Sequence, residues 1–445
     1  MELLKQIPQI DKLTSDDFFK GLTPSLLTTI ARTHIDMLRE KILANKVDTV
    51  NVLALKNEIK ESYEKLLSPS LKPLINATGV ILHTNMGRSL VSKEILENAS
   101  KVICNYSNLE YNQEKGSRGE RYEHVSKHLK TLLDVEDVLV VNNNASAVFL
   151  ILNTFAKEKE VVVSRGELVE IGGSFRIPEV MRQSGAVLHE VGATNKTKLQ
   201  DYENAINEDT AMLMKVHQSN FTIEGFSEDV DFEEMQTLAD THHLIDYYDL
   251  GSGYVVPLPY NLSHKEIPLP EILKQSPSLI SFSGDKLFGS VQAGIIAGKK
   301  VLIEELKKNQ LLRMLRVDKI TLSILEETIK AYLEEKYELI PTLKMLFADV
   351  EALKIRANTM QANIKTDSCE VMECMTVMGG GTLPNREFPS VALHIKGKAS
   401  ALERAFRVKG VIGRIEEDKF LLDVRTVLEE SEETLIEIIN EVVAQ

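Results

Sequence analysis

Residues 137–155 read DVLVVNNNASAVFLILNTF, and this stretch decides the fold class. Val138 to Val141 form the short apolar, β-branched run of a buried strand. Asn142, Asn143 and Asn144 stop it, and an apolar segment of helical length follows. A strand that passes through a polar turn straight into a helix is half of a βαβ unit, from which parallel sheets are built. The texture recurs downstream in EVVVSRGE (160–167), AVLHEVGATN (186–195), TAMLMKVHQSN (210–220), HLIDYYDLGSG (243–253) and LISFSGDK (279–286). These runs lie roughly 25 to 40 residues apart with helical stretches between them, which predicts an α/β domain with a mostly parallel sheet. Each run ends in polar or glycine-rich residues, at the strand ends where an open parallel sheet builds its binding site.

The flanks differ. Residues 1–66 read as helical, with Thr23-Pro24 as an N-cap and first-turn pair. Leu26, Leu27, Ile30, Met37, Leu38 and Ile42 follow near helical spacing, and VLALKNEIKESYEKLL forms a second helix before Ser68-Pro69-Ser70. Beyond Arg316, ITLSILEETIKAYLEEKYELIPTLKMLFADV reads as a long helix broken by Pro341. Strand-like pieces, a Gly379-Gly380-Gly381 turn and a βαβ-like end then predict a small α+β domain. The expected division is 1–66, 67–325 and 326–445.

Composition sets the outer limits. The chain has 445 residues, 43% hydrophobic and 27% charged, with a net charge of −14. A disulfide scaffold, a collagen-like chain and a disordered chain are excluded, and the acidic balance argues against a surface coated in basic charge for nucleic acid. Residues 1–66 carry ten basic and ten acidic side chains, so the rest of the chain carries the whole −14. Three cysteines, Cys104, Cys369 and Cys374, make no disulfide framework, and no histidine cluster near the last two suggests zinc. With no signal peptide and no apolar run near membrane-span length, the expected location is cytoplasmic.

Three segments carry chemistry. In SFSGDKLFGSVQAGIIAG (281–298) a polar turn delivers Lys286 at a strand end, where desolvation lowers an amine pKa toward that of a nucleophile. A surface lysine in a turn is the plain alternative. Asp249, directly before Leu-Gly-Ser-Gly, suits the pairing of a pyridinium N–H, which keeps such a ring an electron sink. Asp246 competes for that role, and an acidic turn residue is the bland reading. Asn144, Ala145 and Ser146 open a helix whose free N–H groups and dipole favour a phosphate. A phosphate turn, an aspartate and a lysine in that order on one parallel sheet are the layout of a fold-type I pyridoxal-phosphate enzyme.

The chain resembles the bacterial selenocysteine synthase family, the L-seryl-tRNA(Sec) selenium transferases, over essentially its whole length. The resemblance is carried by INATGVILHTNMGRS (75–89), YSNLEYN (106–112), VVNNNASAV (140–148), SRGELVEIGGSFRIPEVM (164–181), VGATNKT (191–197) and KVHQSNFTIEGF (215–226). It continues in DLGSG (249–253), SGDKLFG (283–289), LRMLRVDK (312–319), GGGTLP (379–384) and IGRIEEDKFLLDVRTV (412–427). It implies pyridoxal 5′-phosphate as cofactor, Lys286 as its Schiff-base lysine and Asp249 on the pyridine nitrogen. Asn144, Ala145, Ser146 and Ser283 would lie around the phosphate, and Arg88, Arg313 and Arg316 would bind selenophosphate. Without the resemblance, Arg313 and Arg316 read as a solvated helix face.

The resemblance further implies a seryl-tRNA(Sec) substrate held by the N-terminal domain, and a dimer-based homo-oligomer of the kind that builds larger rings. Arg32, Arg39 and Lys46, spaced by seven, form one basic stripe for the tRNA if their helix persists, with Asp36 and Glu40 off it; a solvated face is again the plain alternative. Two places depart from the family pattern. Ser290-Val291 replaces a Gly-Pro pair after the lysine, and Asn309-Gln310-Leu311-Leu312 replaces a His-Pro stretch before the arginines. The rival reading is a pyridoxal-phosphate lyase of a small amino acid or amino sugar acid, which needs no N-terminal domain. A cofactor-less scaffold or RNA-binding relative is weaker, because the lysine and aspartate are intact.

Overall fold

The computed structural model describes residues 2–168, 170–171, 175–218, 221, 223, 225–263 and 268–444, without the side chains of 171, 175, 384 and 385. Parts of two segments of the family resemblance, at 169, 172–174, 219, 220, 222 and 224, therefore lie outside the described residues. The chain divides into Met1–Pro73 and Leu74–Gln445.

The first unit is built on helices α1 (Pro24–Leu43) and α2 (Val52–Leu67). Thr23 takes the N-cap position of the first without a side-chain capping bond, and Pro24 stands in its first turn. Leu27, Ala31 and Ile35 face Leu55, Ile59 and Tyr63, each set spaced by four and so on one helical stripe. Met37, expected among the apolar positions, is exposed. The Tyr63 hydroxyl accepts from Thr23 N at 3.0 Å, joining the start of α1 to the end of α2, so the helices run antiparallel.

The second unit holds a seven-stranded sheet: β1 (Asp137–Val141), β2 (Glu160–Ser164), β3 (Val187–Val191), β4 (Thr210–Val216), β5 (Ile245–Gly251), β6 (Leu279–Ser283) and β7 (Gly294–Gly298). Its order is β1-β7-β6-β5-β4-β2-β3. Every pairing is parallel except those of β7, which runs antiparallel to β1 and β6. Alternation along the strands splits the core between the two faces. Val138, Val140, Ile280 and Phe282 pack on one side with α3 (Glu123–Leu133), while Leu139, Val141 and Met214 pack on the other with α4 (Asn144–Phe155). The layers are helix, sheet, helix.

Helix α5 (Lys319–Leu333) packs on α3 and runs unbroken through the boundary expected at 325/326. It also corrects the expected long helix. Glu335 takes φ 57° and Lys336 N donates to Ala331 O at 2.9 Å, a left-handed cap that ends α5 well before Pro341. Pro341 instead opens the next helix, Pro341–Leu346, where its missing N–H costs nothing.

The C-terminal part is α+β, as expected. Strands β8 (Cys369–Gly379), β9 (Thr382–Ile395), β10 (Arg414–Glu416) and β11 (Lys419–Asp423) form an antiparallel sheet in the order β8-β9-β11-β10. Helices Val350–Ala362, Ala399–Val408 and Glu432–Val443 contribute to its core. Cys369 and Cys374 are five apart on β8, hence on opposite faces, and burial pushes their thiols up to about 11 and about 12. Among the described residues no cluster of metal-binding side chains gathers, and no helix is long and apolar enough to cross a membrane.

Candidate active site

The C-terminal ends of β1, β5 and β6 bring the sequence-predicted residues to one edge of the sheet. Asp249, on β5, is 4% exposed. Its Oδ1 accepts from Asn144 Nδ2 at 2.8 Å and from Gly251 N at 3.0 Å. Burial pushes this carboxyl up, while the Asn144 and Gly251 donors and the nearby Lys286 and His217 pull it back. The competing Asp246 lies earlier on the same strand, fully buried, and its Oδ2 accepts from Ser278 N at 2.9 Å. Asp246 ties two strands together inside the sheet.

Lys286 follows β6 through the Gly284-Asp285 turn and is half-buried. Burial lowers its ammonium pKa, and Asp249 opposes that shift. Among the described residues its Nζ has no hydrogen bond or ion pair. Next to it, Asp285 Oδ2 accepts from Arg88 Nη1 at 2.8 Å, and Ser89 N donates to Asp285 O at 3.3 Å. Arg88 sits at φ 58°, left-handed backbone that costs a side-chain-bearing residue roughly 1 kcal/mol or more and collects at functional sites. Its Nε and the Nδ1 of His83 are buried without partners among the described residues. A cleft of about 330 Å³ opens beside Arg88, Asp285, Ser290 and Gln292.

The turn after β1 is capped by Asn143, whose Oδ1 accepts from Ser146 N at 2.8 Å. Among the described residues that leaves the N–H groups of Asn144 and Ala145 for a ligand at the positive end of α4. Ser146 stands in the same turn, and Ser283 closes β6 beside it, opposite Gly294. Gly294 is required here: a Cβ on it would lie 2.2 Å from Asn143 O, in the path by which the turn crosses β7. An amine eased toward its neutral form, a buried carboxylate and free helix N–H groups meet the three needs of pyridoxal phosphate: a lysine, a partner for the ring nitrogen and a phosphate cradle.

The arginines do not all meet. Arg88 belongs to the Lys286 edge. Arg313, in the short helix Leu312–Leu315, and Arg316, just past it, line another cleft of about 430 Å³ with Glu110, Arg118 and Arg121. Glu110 Oε1 accepts from Arg121 Nη2 at 2.7 Å, and its other oxygen from Arg118 Nη2 at 3.1 Å. These contacts, Arg121 first, hold its carboxyl below the usual range. Arg316 reaches the same carboxylate only at 3.9 Å, so the cleft keeps excess positive charge. Sequence reasoning missed Arg118 and Arg121, although GSRGER at 116–121 places two arginines next to the matched YSNLEYN segment.

The two departures from the family pattern have local replacements. Ser290 Oγ shares a hydrogen bond with Thr328 Oγ1 at 2.9 Å. Asn309 Nδ2 donates to Asn153 and Thr154, while its Oδ1 accepts from Leu311 N at 2.9 Å.

The predicted tRNA stripe needs correction. Helix α1 ends at Leu43; Asn45 takes φ 52° and Lys46 N donates to Lys41 O at 2.9 Å, a left-handed cap that carries Lys46 off the helix. Arg39 is tied to Asp36 at 2.8 Å, so Asp36 is not off the stripe. Arg32 and Arg39 both stay exposed on the helix, and only Arg39 of the two is paired to an acid among the described residues.

The chain matches the family profile described as SelA, L-seryl-tRNA selenium transferase, over residues 74–428. It is 56% identical over 444 residues to the L-seryl-tRNA(Sec) selenium transferase of Aliarcobacter butzleri, covering 99% of this chain and 98% of that one. The protein of the same name from Sulfurimonas denitrificans is 55% identical over 446 residues, covering 99% of both. Among solved structures, D-glucosaminate-6-phosphate ammonia-lyase superposes with a TM-score of 0.62 at 18% identity, covering 86% of this chain and 98% of that one, a likeness of fold.

Proposed function

The chain belongs to the L-seryl-tRNA selenium transferase family, and from that premise we infer that it converts L-seryl-tRNA(Sec) to L-selenocysteinyl-tRNA(Sec) with pyridoxal 5′-phosphate as cofactor. The observation that carries the chemistry is the pairing, on neighbouring parallel strands, of a half-buried lysine with a buried, hydrogen-bonded aspartate. When bound, the cofactor supplies an electron sink for charge developing at the α-carbon of the seryl group.

Lys286 is the group that takes and returns the seryl α-proton. Burial favours its amine form, so it accepts a proton at a pH where an exposed lysine is already charged. Asp249, with Asn144 and Gly251 N on its Oδ1, would hold the ring nitrogen of the bound cofactor. Ala145, Ser146 and Ser283 line the phosphate cradle. The seryl hydroxyl leaves as water, a carbon–selenium bond forms, and hydrolysis of the selenium–phosphorus bond of selenophosphate releases phosphate. Arg88, Arg313 and Arg316 hold that oxyanion, for which planar guanidinium forks are suited.

Because Arg88 and the Arg313–Arg316 pair line different clefts of one chain, a second copy supplies the missing arginines in this reading. That supports a dimer-based homo-oligomer and, built from dimers, a larger ring. Residues 1–66 hold the tRNA, through Arg32 and contacts other than the expected stripe. A tRNA substrate also fits a cytoplasmic setting.

The test is conversion of purified seryl-tRNA(Sec) in the presence of selenophosphate. Selenocysteinyl-tRNA is the expected product, and Lys286→Ala is expected to remove both the product and the visible absorbance of the bound cofactor. Turnover of free serine or an amino sugar acid, with seryl-tRNA untouched, would establish the lyase reading instead.

A further inference from the structure

We propose that Asn144 is a positioning residue for Asp249, directing one carboxylate oxygen to the ring nitrogen of the bound cofactor and offering its own Oδ1 to a donor on the bound molecule. The proposal rests on the pyridoxal-phosphate reading above. It departs from the expectation that residue 144 serves only the phosphate, because its side chain is turned the other way.

Three observations carry it. First, Asn144 Nδ2 and Gly251 N both donate to Asp249 Oδ1, at 2.8 and 3.0 Å. Among the described residues Oδ2 has no hydrogen bond, so the carboxylate presents one saturated oxygen and one open one. Second, Asn144 Oδ1 is buried and has no partner among the described residues. Reversing the amide would set that oxygen against the Asp249 carboxylate, acceptor against acceptor, so the orientation that leaves it unpaired is the one an ionised Asp249 enforces. A buried acceptor with no protein donor is rare and points to a donor on a ligand. Third, the reach from β1 to β5 is built in. Asn144 opens α4 and its turn crosses β7 only because Gly294 has no side chain there.

The charged and titratable groups facing Asp249 are Lys286 from the turn after β6, His217 from the end of β4 and Tyr247 on β5 itself. Burial favours the neutral acid, and the Asn144 donor is the foremost of the contacts opposing it. Removing that donor makes Asp249 easier to protonate and weakens its hold on a protonated ring nitrogen.

The experiment compares the unaltered protein with Asn144→Ala and Asn144→Asp. Each is stripped of cofactor and titrated with pyridoxal 5′-phosphate, and the visible absorbance is followed against pH. Asn144→Ala keeps every backbone N–H of the phosphate turn, so a purely phosphate-binding role predicts no change. The positioning role predicts about tenfold weaker cofactor binding, as for a lost hydrogen bond to a charged group, and a shift in the pH midpoint of about half a unit or more. Asn144→Asp, which keeps the shape but sets an acceptor against Asp249, is expected to move the midpoint further. It also serves if the alanine variant does not fold. Unchanged affinity and midpoint in either folded variant overturn the proposal. Absence of a visible band in the unaltered protein overturns the cofactor reading itself, and the proposal with it.

Discussion

Glu167 shows what one buried charge does to this chain. It lies in the turn after β2, 5% exposed, with Oε2 accepting from Val216 N at 2.8 Å and Oε1 3.7 Å from Lys215 Nζ. Burial raises its pKa from 4.5 to about 7, against the pull of Lys215. A carboxyl whose folded pKa is raised favours the native state below its unfolded pKa, and that advantage is lost as pH rises through the folded value. The window here runs from about pH 4.5 to 7. At about 1.4 kcal/mol per unit, ionised Glu167 costs on the order of 3–4 kcal/mol above pH 7. Glu167→Gln keeps an acceptor for Val216 N, and Lys215 keeps the Val230 carbonyl at 2.6 Å and Asp229 at 3.3 Å. The variant is therefore expected to be about 1–3 kcal/mol more stable than the unaltered chain at pH 8, with the gain shrinking through this window and vanishing below about pH 4. Urea unfolding at both ends of the window measures this, and a variant less stable at pH 8 would contradict it.

The contact between α4 and β7 decides whether the site exists. Gly294→Ala places a methyl 2.2 Å from Asn143 O, so the capped turn must move. The expected cost is about 1–3 kcal/mol of stability, together with weaker cofactor binding as Asn144 is carried away from Asp249. A spectral titration that matched the unaltered chain would show the turn to be more compliant than its packing implies. The same elements show what could be read without coordinates. Six strands were legible because each holds a short apolar or β-branched run that ends in a polar or glycine-rich turn. The seventh, GIIAG, was not read as a strand, since it follows the lysine turn as a glycine-bounded apolar run and its antiparallel direction depends on partners on both sides. Lys286 and Asp249 announced themselves by position at strand ends. The Asn144–Asp249 bond joins residues 105 apart and left no local pattern. The helix end at Glu335 was missed because it is not glycine, the residue that usually marks a left-handed cap.

On the scale of the molecule, charge and architecture are divided the same way. The −14 lies wholly outside residues 1–66, which are neutral, and the N-terminal unit has its own core of Leu13, Phe19, Leu27, Ala31, Ile35, Leu55, Ile59 and Tyr63. A neutral surface without a basic stripe gives little affinity for arbitrary RNA, because most non-specific binding comes from phosphates neutralised by lysine and arginine. On the proposed reading, recognition of one tRNA would come from a few placed contacts, such as Arg32, repeated by the copies of the proposed oligomer. Every group named around Lys286 lies in Leu74–Gln445, together with the whole sheet. A chain beginning at Leu74 is therefore expected to keep the visible absorbance of the bound cofactor and its urea midpoint, while binding seryl-tRNA(Sec) at least about tenfold more weakly. The salt dependence of binding by the full chain should be shallow, since few phosphates are neutralised. Equal tRNA affinity in the shortened chain would move the RNA site onto the large unit. Loss of the cofactor band together with the tRNA would mean that the two units fold as one.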